Sequence, residues 1–336
     1  MSDAAIRVEG LTKRFGEVEA LRGIDFEVPS GTVFGLLGPN GAGKTTAVRI
    51  LTTILPPDGG RAEVLGHDVV RDAEGVRFRI GLAGQYAAID PNLTGRENLK
   101  LTGRLAQLEG REASSRATDL LERFELTDAA DRPTKTYSGG MRRRLDVAAA
   151  LVARPPVVFL DEPTTGLDLH SRNELWEMIR ELVADGATVL LTTQYLEEAD
   201  RLAERVAVID GGRVIANDTP AVLKSEMGST VVELSLGDED RAVRAEAVLV
   251  RELQSPVKRE LTVVTVTSQD GSRMLIDALR ILDGQDLSPT ALNVREPSLD
   301  DVFLALTGHH AEAEDGDGGT QDGDKSGGRR GRRREA

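Results

Sequence analysis

The run Gly38-Pro39-Asn40-Gly41-Ala42-Gly43-Lys44-Thr45 constrains this chain more than any other stretch. It matches the pattern G-x-x-x-x-G-K-[ST]. It follows the apolar run Val33-Phe34-Gly35-Leu36-Leu37, which reads as a buried strand. After it, apolar positions from Lys44 to Leu55 fit a helix that stops at Pro56-Pro57. Glycines let backbone N–H groups turn inward around phosphate oxygens. The helix behind them points its positive N-terminal end at the same anion. Lys44 can place a charge on β- and γ-phosphates, the Thr45 hydroxyl can ligate Mg²⁺, and Thr46 can add a phosphate hydrogen bond. About 0.01 such matches are expected by chance in a chain of this length, so a fortuitous glycine turn is the poorer reading.

A nucleotide site of this kind needs a carboxylate for the metal and a base for water. Phe159-Leu160-Asp161-Glu162 closes a second apolar strand with two adjacent acids. Asp161 can hold Mg²⁺ directly or through water. Glu162 can polarise the attacking water. Alone, the pair would read as a solvated acidic turn; beside the phosphate loop it reads as the second half of the site.

Composition removes several other chemistries. The chain has 336 residues, no Cys and four His. Disulfide scaffolds, thiolate metal sites and Cys nucleophiles are therefore excluded, and a His-rich metal site is disfavoured. No apolar run approaches the roughly 20 residues that span a bilayer. The start MSDAAIRVEG has no apolar signal core, so a cytoplasmic chain is expected. A formal charge of −14 argues against binding nucleic acid through bulk positive charge.

Short strands are expected over residues 4–36, helices over about 86–152, an amphipathic helix over 171–184 and a strand over 187–193. Strands alternating with helices predict an α/β fold with a mostly parallel sheet and a helical insertion. Segment 226–308 reads as strand, helix, strand, helix, strand, helix, a small separate α/β domain. The Gly-, Asp- and Arg-rich tail, 309–336, is expected to be disordered.

Together, the phosphate loop, Asp161-Glu162 and Ser138-Gly139-Gly140 ahead of a helix resemble the ATP-binding-cassette (ABC) ATPases. The likeness covers about 1–225 and implies a P-loop NTPase fold with a helical subdomain over about 86–152. Tyr137-Ser138-Gly139-Gly140-Met141 is similar to the family signature, usually Leu-Ser-Gly-Gly-Gln. Gln85 matches the glutamine-loop position, which also senses Mg²⁺, and Asp168 matches the D-loop. Phe15 fits the aromatic that stacks on adenine; the other reading is an ordinary core aromatic. The resemblance implies ATP and Mg²⁺ as ligands and a head-to-tail homodimer, in which Ser138, Gly139 and Gly140 face the γ-phosphate held by a second subunit. It also implies that Asp168 contacts the opposite phosphate loop.

Thr192-Thr193-Gln194-Tyr195 puts Gln where most of the family has a His. Gln194 can position the γ-phosphate but cannot titrate near neutral pH; the other reading is a plain surface polar residue. This departure, with Met141, Gly84-Gln85-Tyr86-Ala87 and Ser298-Leu299-Asp300-Asp301-Val302-Phe303, resembles the daunorubicin/doxorubicin-resistance ATP-binding group over about 5–310. The likeness implies an exporter of a hydrophobic, antibiotic-like compound. Its membrane permease would be a separate polypeptide, docked through Tyr86 to about Leu108, and this chain would sit on the cytoplasmic face of the membrane. Residues 226–308 would be an accessory domain. No nucleic-acid partner is expected. The alternative is a regulatory or nucleic-acid-associated cassette protein without a transport role.

Overall fold

Two sheets share one hydrophobic layer, and the residues that form it alternate along their strands. The computed structural model describes residues 4–84, 89–227, 230–253, 255–268 and 271–308. Gln85 and Tyr86, in the expected glutamine loop and docking surface, and the tail 309–336 lie outside the described residues.

The central sheet contains β3 (Val33–Leu37), β6 (Ile80–Ala83), β7 (Val157–Asp161), β8 (Thr188–Thr193), β9 (Arg205–Asp210) and β10 (Arg213–Asp218), in the order β10-β9-β3-β8-β7-β6. All neighbours are parallel except β9 and β10, which form an antiparallel edge. Strands β3, β7 and β8 are buried along their whole length. Their side chains alternate between two cores, as a strand covered on both faces requires. Phe34, Leu36, Val157, Phe159 and Leu190 enter one core. Val33, Leu37, Val158, Leu160 and Leu191 enter the other.

The first core is closed by an antiparallel sheet that the sequence pattern did not announce: β1 (Ala4–Phe15), β2 (Val18–Pro29), β4 (Gly59–Val64) and β5 (His67–Asp68), ordered β2-β1-β4-β5. The expected short strands of 4–36 are thus two long ones, bent by register shifts, plus β3. Phe26 of this sheet stacks on Phe34 of the central one at 5.4 Å between ring centroids. Helix α1 (Lys44–Leu51) lies in the same core, with α2 (Ala73–Arg77) at its margin. It ends four residues before the expected Leu55. Thr53 takes a left-handed φ of 63°, and the amides of Ile54 and Leu55 both turn back to the Arg49 carbonyl.

The second core holds α3 (Gly95–Leu105), α4 (Gly110–Arg123), α5 (Gly139–Ala150), α6 (Leu169–Ala184), α7 (Leu196–Leu202) and α8 (Pro220–Met227). Helix α3 begins with a reciprocal cap between Thr94 and Glu97. Caps at Ser138 and Asp168 start α5 and α6.

Beyond β10 the chain builds a third sheet, β12 (Val257–Glu260), β13 (Val263–Ser268), β11 (Thr230–Ser235) and β14 (Ala291–Arg295), antiparallel throughout. Helices α9 (Glu239–Glu252) and α10 (Gly271–Asp283) pack on it around a core of their own. The β12–β13 hairpin adds one strand to the expected alternation. The last helix, α11 (Leu299–Thr307), leaves this sheet. It packs on α7 and α8, and Leu299, Val302 and Phe303 join the second core. Among the described residues no helix is long and apolar enough to cross a membrane.

Candidate nucleotide site

The C-terminal ends of β3, β7 and β8 bring the chemistry together, where ligands bind in open parallel sheets. Strand β3 runs into Gly38, β7 ends on Asp161, and β8, between them in the sheet, ends at Thr193 just before Gln194. In this register Leu36 lies opposite Thr192, and Thr192 opposite Asp161. Residues distant in sequence are therefore set side by side by strand pairing alone.

The loop shape depends on two glycines. Gly38 has φ 154°, and a Cβ there would come within 2.1 Å of the Ile209 carbonyl oxygen. Gly43 has φ 115°, and its Cβ would meet the Ala20 carbonyl oxygen at 2.6 Å. Gly43 also begins α1, where no side chain caps the helix and no acidic residue occupies the first turn. The bare N–H groups of that turn suit an anion. The loop encloses a cavity of about 210 Å³ lined by Ala20, Pro39 to Thr46 and Glu162.

Lys44 is only 4% exposed. Its Nζ donates to the carbonyls of Gly38 and Pro39 at 2.7 and 3.2 Å, and stands 3.6 Å from Glu162 Oε1. The ammonium is thus stored over the loop, where phosphate oxygens would take over those carbonyl bonds. Thr45 Oγ1 donates to Asp161 Oδ1 at 3.3 Å, and Thr192 Oγ1 donates to the same oxygen at 2.6 Å. The hydroxyl of cavity-lining Thr45 and the carboxylate oxygen it meets behind that lining are the kind of hard donors Mg²⁺ takes beside phosphates and water. The fit is sound: a nucleotide-linked Mg²⁺ needs one or two protein oxygens, not a cage. The described residues contain no cluster of three His, Cys, Asp or Glu.

Glu162 takes φ 50°, a left-handed conformation unusual for a residue with a Cβ. Its N–H donates to Thr192 O at 3.1 Å and to Thr192 Oγ1 at 3.0 Å. Its buried carboxylate faces Lys44 at the cavity wall. Sequence reasoning missed Thr192, which holds both acids; the only signal was a hydroxyl pair, Thr192-Thr193, at a strand end.

Gln194 is half-buried, and its Oε1 is a buried acceptor with no hydrogen-bond partner. The side chain is thus short of one hydrogen-bond partner. Phe15 is 46% exposed at the end of β1, paired with Val18, two residues before cavity-lining Ala20. Lys13 Nζ lies 5.7 Å from its ring centroid. The core-aromatic reading of Phe15 therefore fails, and a ring open to stacking remains.

Ser138, Gly139 and Asp168 are exposed and stand outside the lining of that cavity, and so does Gly140. Ser138 Oγ accepts from Met141 N, and Asp168 Oδ1 accepts from Ser171 N, so each caps its own helix. That backbone bond holds the Asp168 carboxyl below the usual aspartate range. Tyr137, in place of the usual Leu, is buried and donates its hydroxyl to Ala129 O at 2.6 Å. A wider cleft of about 440 Å³ joins Gly139 and Arg143 to Glu162, Thr165 and Leu167.

Behind the site, Glu198 is fully buried and accepts from Trp176 Nε1 at 3.0 Å and Thr164 Oγ1 at 3.2 Å. Burial pushes its carboxyl above the ordinary glutamate value, against those hydrogen bonds and the nearby Arg172.

Comparison with known proteins places these features in company. The family model described as ABC transporter matches residues 21–165. A daunorubicin resistance ATP-binding protein of Streptomyces coeruleorubidus is 54% identical over 93% of this chain and 98% of its own length. A Nod factor export ATP-binding protein I of Ralstonia nicotianae is 41% identical over 91% of this chain and 95% of its own. Among solved structures, a dimeric ATP-binding cassette in a post-hydrolysis state, bound to ADP and Pi, superposes with a TM-score of 0.59. It is 27% identical and covers 64% of this chain and 98% of its own.

Proposed function

Because the chain belongs to the ATP-binding subunits of ABC transporters, among the drug-resistance branch of that family, we propose that it hydrolyses ATP to drive export of a hydrophobic, antibiotic-like compound through a separate membrane permease. One observation carries the catalytic reading. Glu162, in a strained backbone conformation, faces Lys44 at 3.6 Å across the wall of the phosphate-loop cavity.

ATP would lie with its phosphates against the N–H groups of Gly41 to Thr46 and its adenine toward Phe15. Lys44 would move from its carbonyls onto the β- and γ-phosphates. Thr45 and Asp161 would hold Mg²⁺, which neutralises phosphate charge when bound with the nucleotide. Water held by Glu162 attacks the γ-phosphorus while the bond to the β,γ-bridging oxygen breaks. Glu162 takes the water proton, and the electron pair leaves with ADP. Gln194 would fix the γ-phosphate or the attacking water with its amide.

The rim of exposed Ser138, Gly139 and Asp168 with half-buried Gly140 supports a head-to-tail homodimer in which each rim closes the other chain's nucleotide. ATP would then be the adhesive of the interface, and hydrolysis would release it. For the permease, the described part of the expected docking segment carries exposed Leu101 and Leu105. Leu105 borders a groove of about 430 Å³ with Phe78 and Leu82. Substrate would be bound by the permease, on whose cytoplasmic face this subunit would sit.

Glu162→Gln tests the core of this reading. The amide keeps the shape but cannot take a proton. We expect ATP affinity within about threefold of the parent and turnover down by about 10²–10⁴-fold, with an ATP-stabilised dimer seen by size-exclusion chromatography with light scattering. Turnover at the parent rate would remove the general-base assignment.

A further inference from the structure

A non-glycine residue at φ 50° is strained and persists only where its surroundings fix it. For Glu162 the N–H side is held by Thr192. Its own carbonyl accepts from Thr165 N at 3.4 Å, and the two neighbouring carbonyls are held by a single guanidinium. Arg143 Nη2 donates to Asp161 O at 3.0 Å, and its Nε donates to Pro163 O at 2.7 Å. These are the carbonyls immediately before and after Glu162. Arg143 Nη1 donates to Gly84 O at 2.7 Å and to Asp146 Oδ2 at 3.2 Å.

This side chain sits well inside the protein, at 13% exposure, beside an Asp146 carboxylate that is buried too. Burial pushes the guanidinium downward from its usual value, and Asp146, then Asp161, act against that. Burying a cation this far is costly unless it is paired and hydrogen-bonded. Here a planar fork meets three carbonyls and a carboxylate at once, a task that a single ammonium nitrogen cannot reproduce. The fork also reaches from one element to another. Arg143 lies on α5, the helix that Ser138 caps, whereas the carbonyls belong to the last residue of β7, to the turn after it and to Gly84 just past β6.

We infer that Arg143 is a positioning residue for hydrolysis: from the helix that begins at Ser138, it locks the backbone on both sides of Glu162 and ties it to Gly84, where the chain leaves β6. This rests on the reading of Glu162 as the base. The consequence is that a small tilt of α5 is transmitted to the catalytic carboxylate through fixed hydrogen bonds. A displacement near 1 Å at a reacting group costs on the order of 100-fold in rate.

The test is steady-state ATPase on the full chain with Arg143→Lys, alongside equilibrium binding of a fluorescent ATP analogue and thermal melting. Lysine keeps the charge beside Asp146 and loses the fork. The expected result is kcat down by about 10–100-fold with nucleotide affinity within about twofold. A kcat within twofold of the parent overturns the proposal, and so does a loss shared equally between affinity and turnover. If Arg143→Lys does not fold, Asp146→Asn is the second variant. It keeps Arg143 and removes the anion that orients it, so kcat should fall by about 3–10-fold with affinity unchanged. An unaltered kcat there overturns the proposal. Glu162→Gln measured in parallel separates the two readings. If it turns over normally, the base assignment fails on its own, whatever Arg143→Lys does.

Discussion

The phosphate-loop half of the site and the Ser138–Asp168 rim are built to opposite rules. In the first, Lys44, Asp161 and Glu162 are buried and bonded to groups of the same chain. In the second, Ser138, Gly139 and Asp168 are exposed, and the observed side-chain bonds only cap the helices they begin. A finished half and an open half differ in what can complete them. The first needs only a nucleotide, because its donors are already aimed and its backbone strain is already held. The second lies apart from the phosphate-loop cavity, and in the proposed dimer a second copy would bring the nucleotide to it. That asymmetry supports the proposed second copy.

The comparison breaks most easily at the buried half. Lys44→Ala removes the ammonium stored over the cavity and leaves the Glu162 carboxylate buried beside the vacated space. A charge-assisted bond to phosphate is worth about 1.5–3 kcal/mol, so nucleotide affinity should fall by about 10–150-fold. Titration with a fluorescent ATP analogue measures this directly. Normal binding would mean the loop does not hold phosphate.

At the open half the expected effect is smaller on binding and confined to turnover. Ser138→Arg puts bulk and positive charge on an exposed helix start, so the lone chain should fold and bind ATP within about twofold of the parent. If the rim closes a partner's nucleotide, loss of its anion-facing donors should lower kcat by about 10²-fold or more, and the ATP-stabilised dimer of Glu162→Gln should not form in the double variant. A double variant that still dimerises with ATP would mean that the rim faces solvent.

Much of the buried half was legible because its residues are contiguous. A glycine loop between an apolar strand and a helix, and two acids at a strand end, are local patterns with a local physical cause. The open half was legible only by family resemblance, since three exposed residues at a helix start carry no chemistry by themselves. What escaped was non-local. Thr192 matters because β8 lies between β3 and β7, a fact of strand order that no window of sequence contains. Arg143 sits in the run Arg142-Arg143-Arg144, and nothing in that run singles it out until the turn after β7 is folded against it. The antiparallel sheet was hidden for a similar reason: β1 and β2 pair along their length through register shifts, and each shift breaks the strict alternation that marks a strand. Helix α11 was read with the C-terminal domain by proximity in sequence, whereas Phe303 lies buried in the core beneath α7 and α8.

The smallest expected effect concerns the ground between the two halves. Glu198 on α7 joins Thr164, two residues past Glu162, to Trp176 on α6, the helix that Asp168 begins. Burial raises its native carboxyl above the ordinary value of 4.5. The sign follows from linkage. Between 4.5 and the raised native value the folded state binds more protons than the unfolded state, so this group's contribution to stability falls as pH rises through that window. Glu198→Gln keeps an acceptor for Trp176 and removes the titration. Urea unfolding of both proteins at a series of pH values from 4.5 upward should show the variant gaining on the parent as pH rises, then holding a constant lead above the native value. A difference independent of pH would show that Glu198 titrates as it does in the unfolded chain. Its hydrogen bonds to Trp176 and Thr164 would then offset burial in full, and the link between the two halves would carry no electrostatic cost.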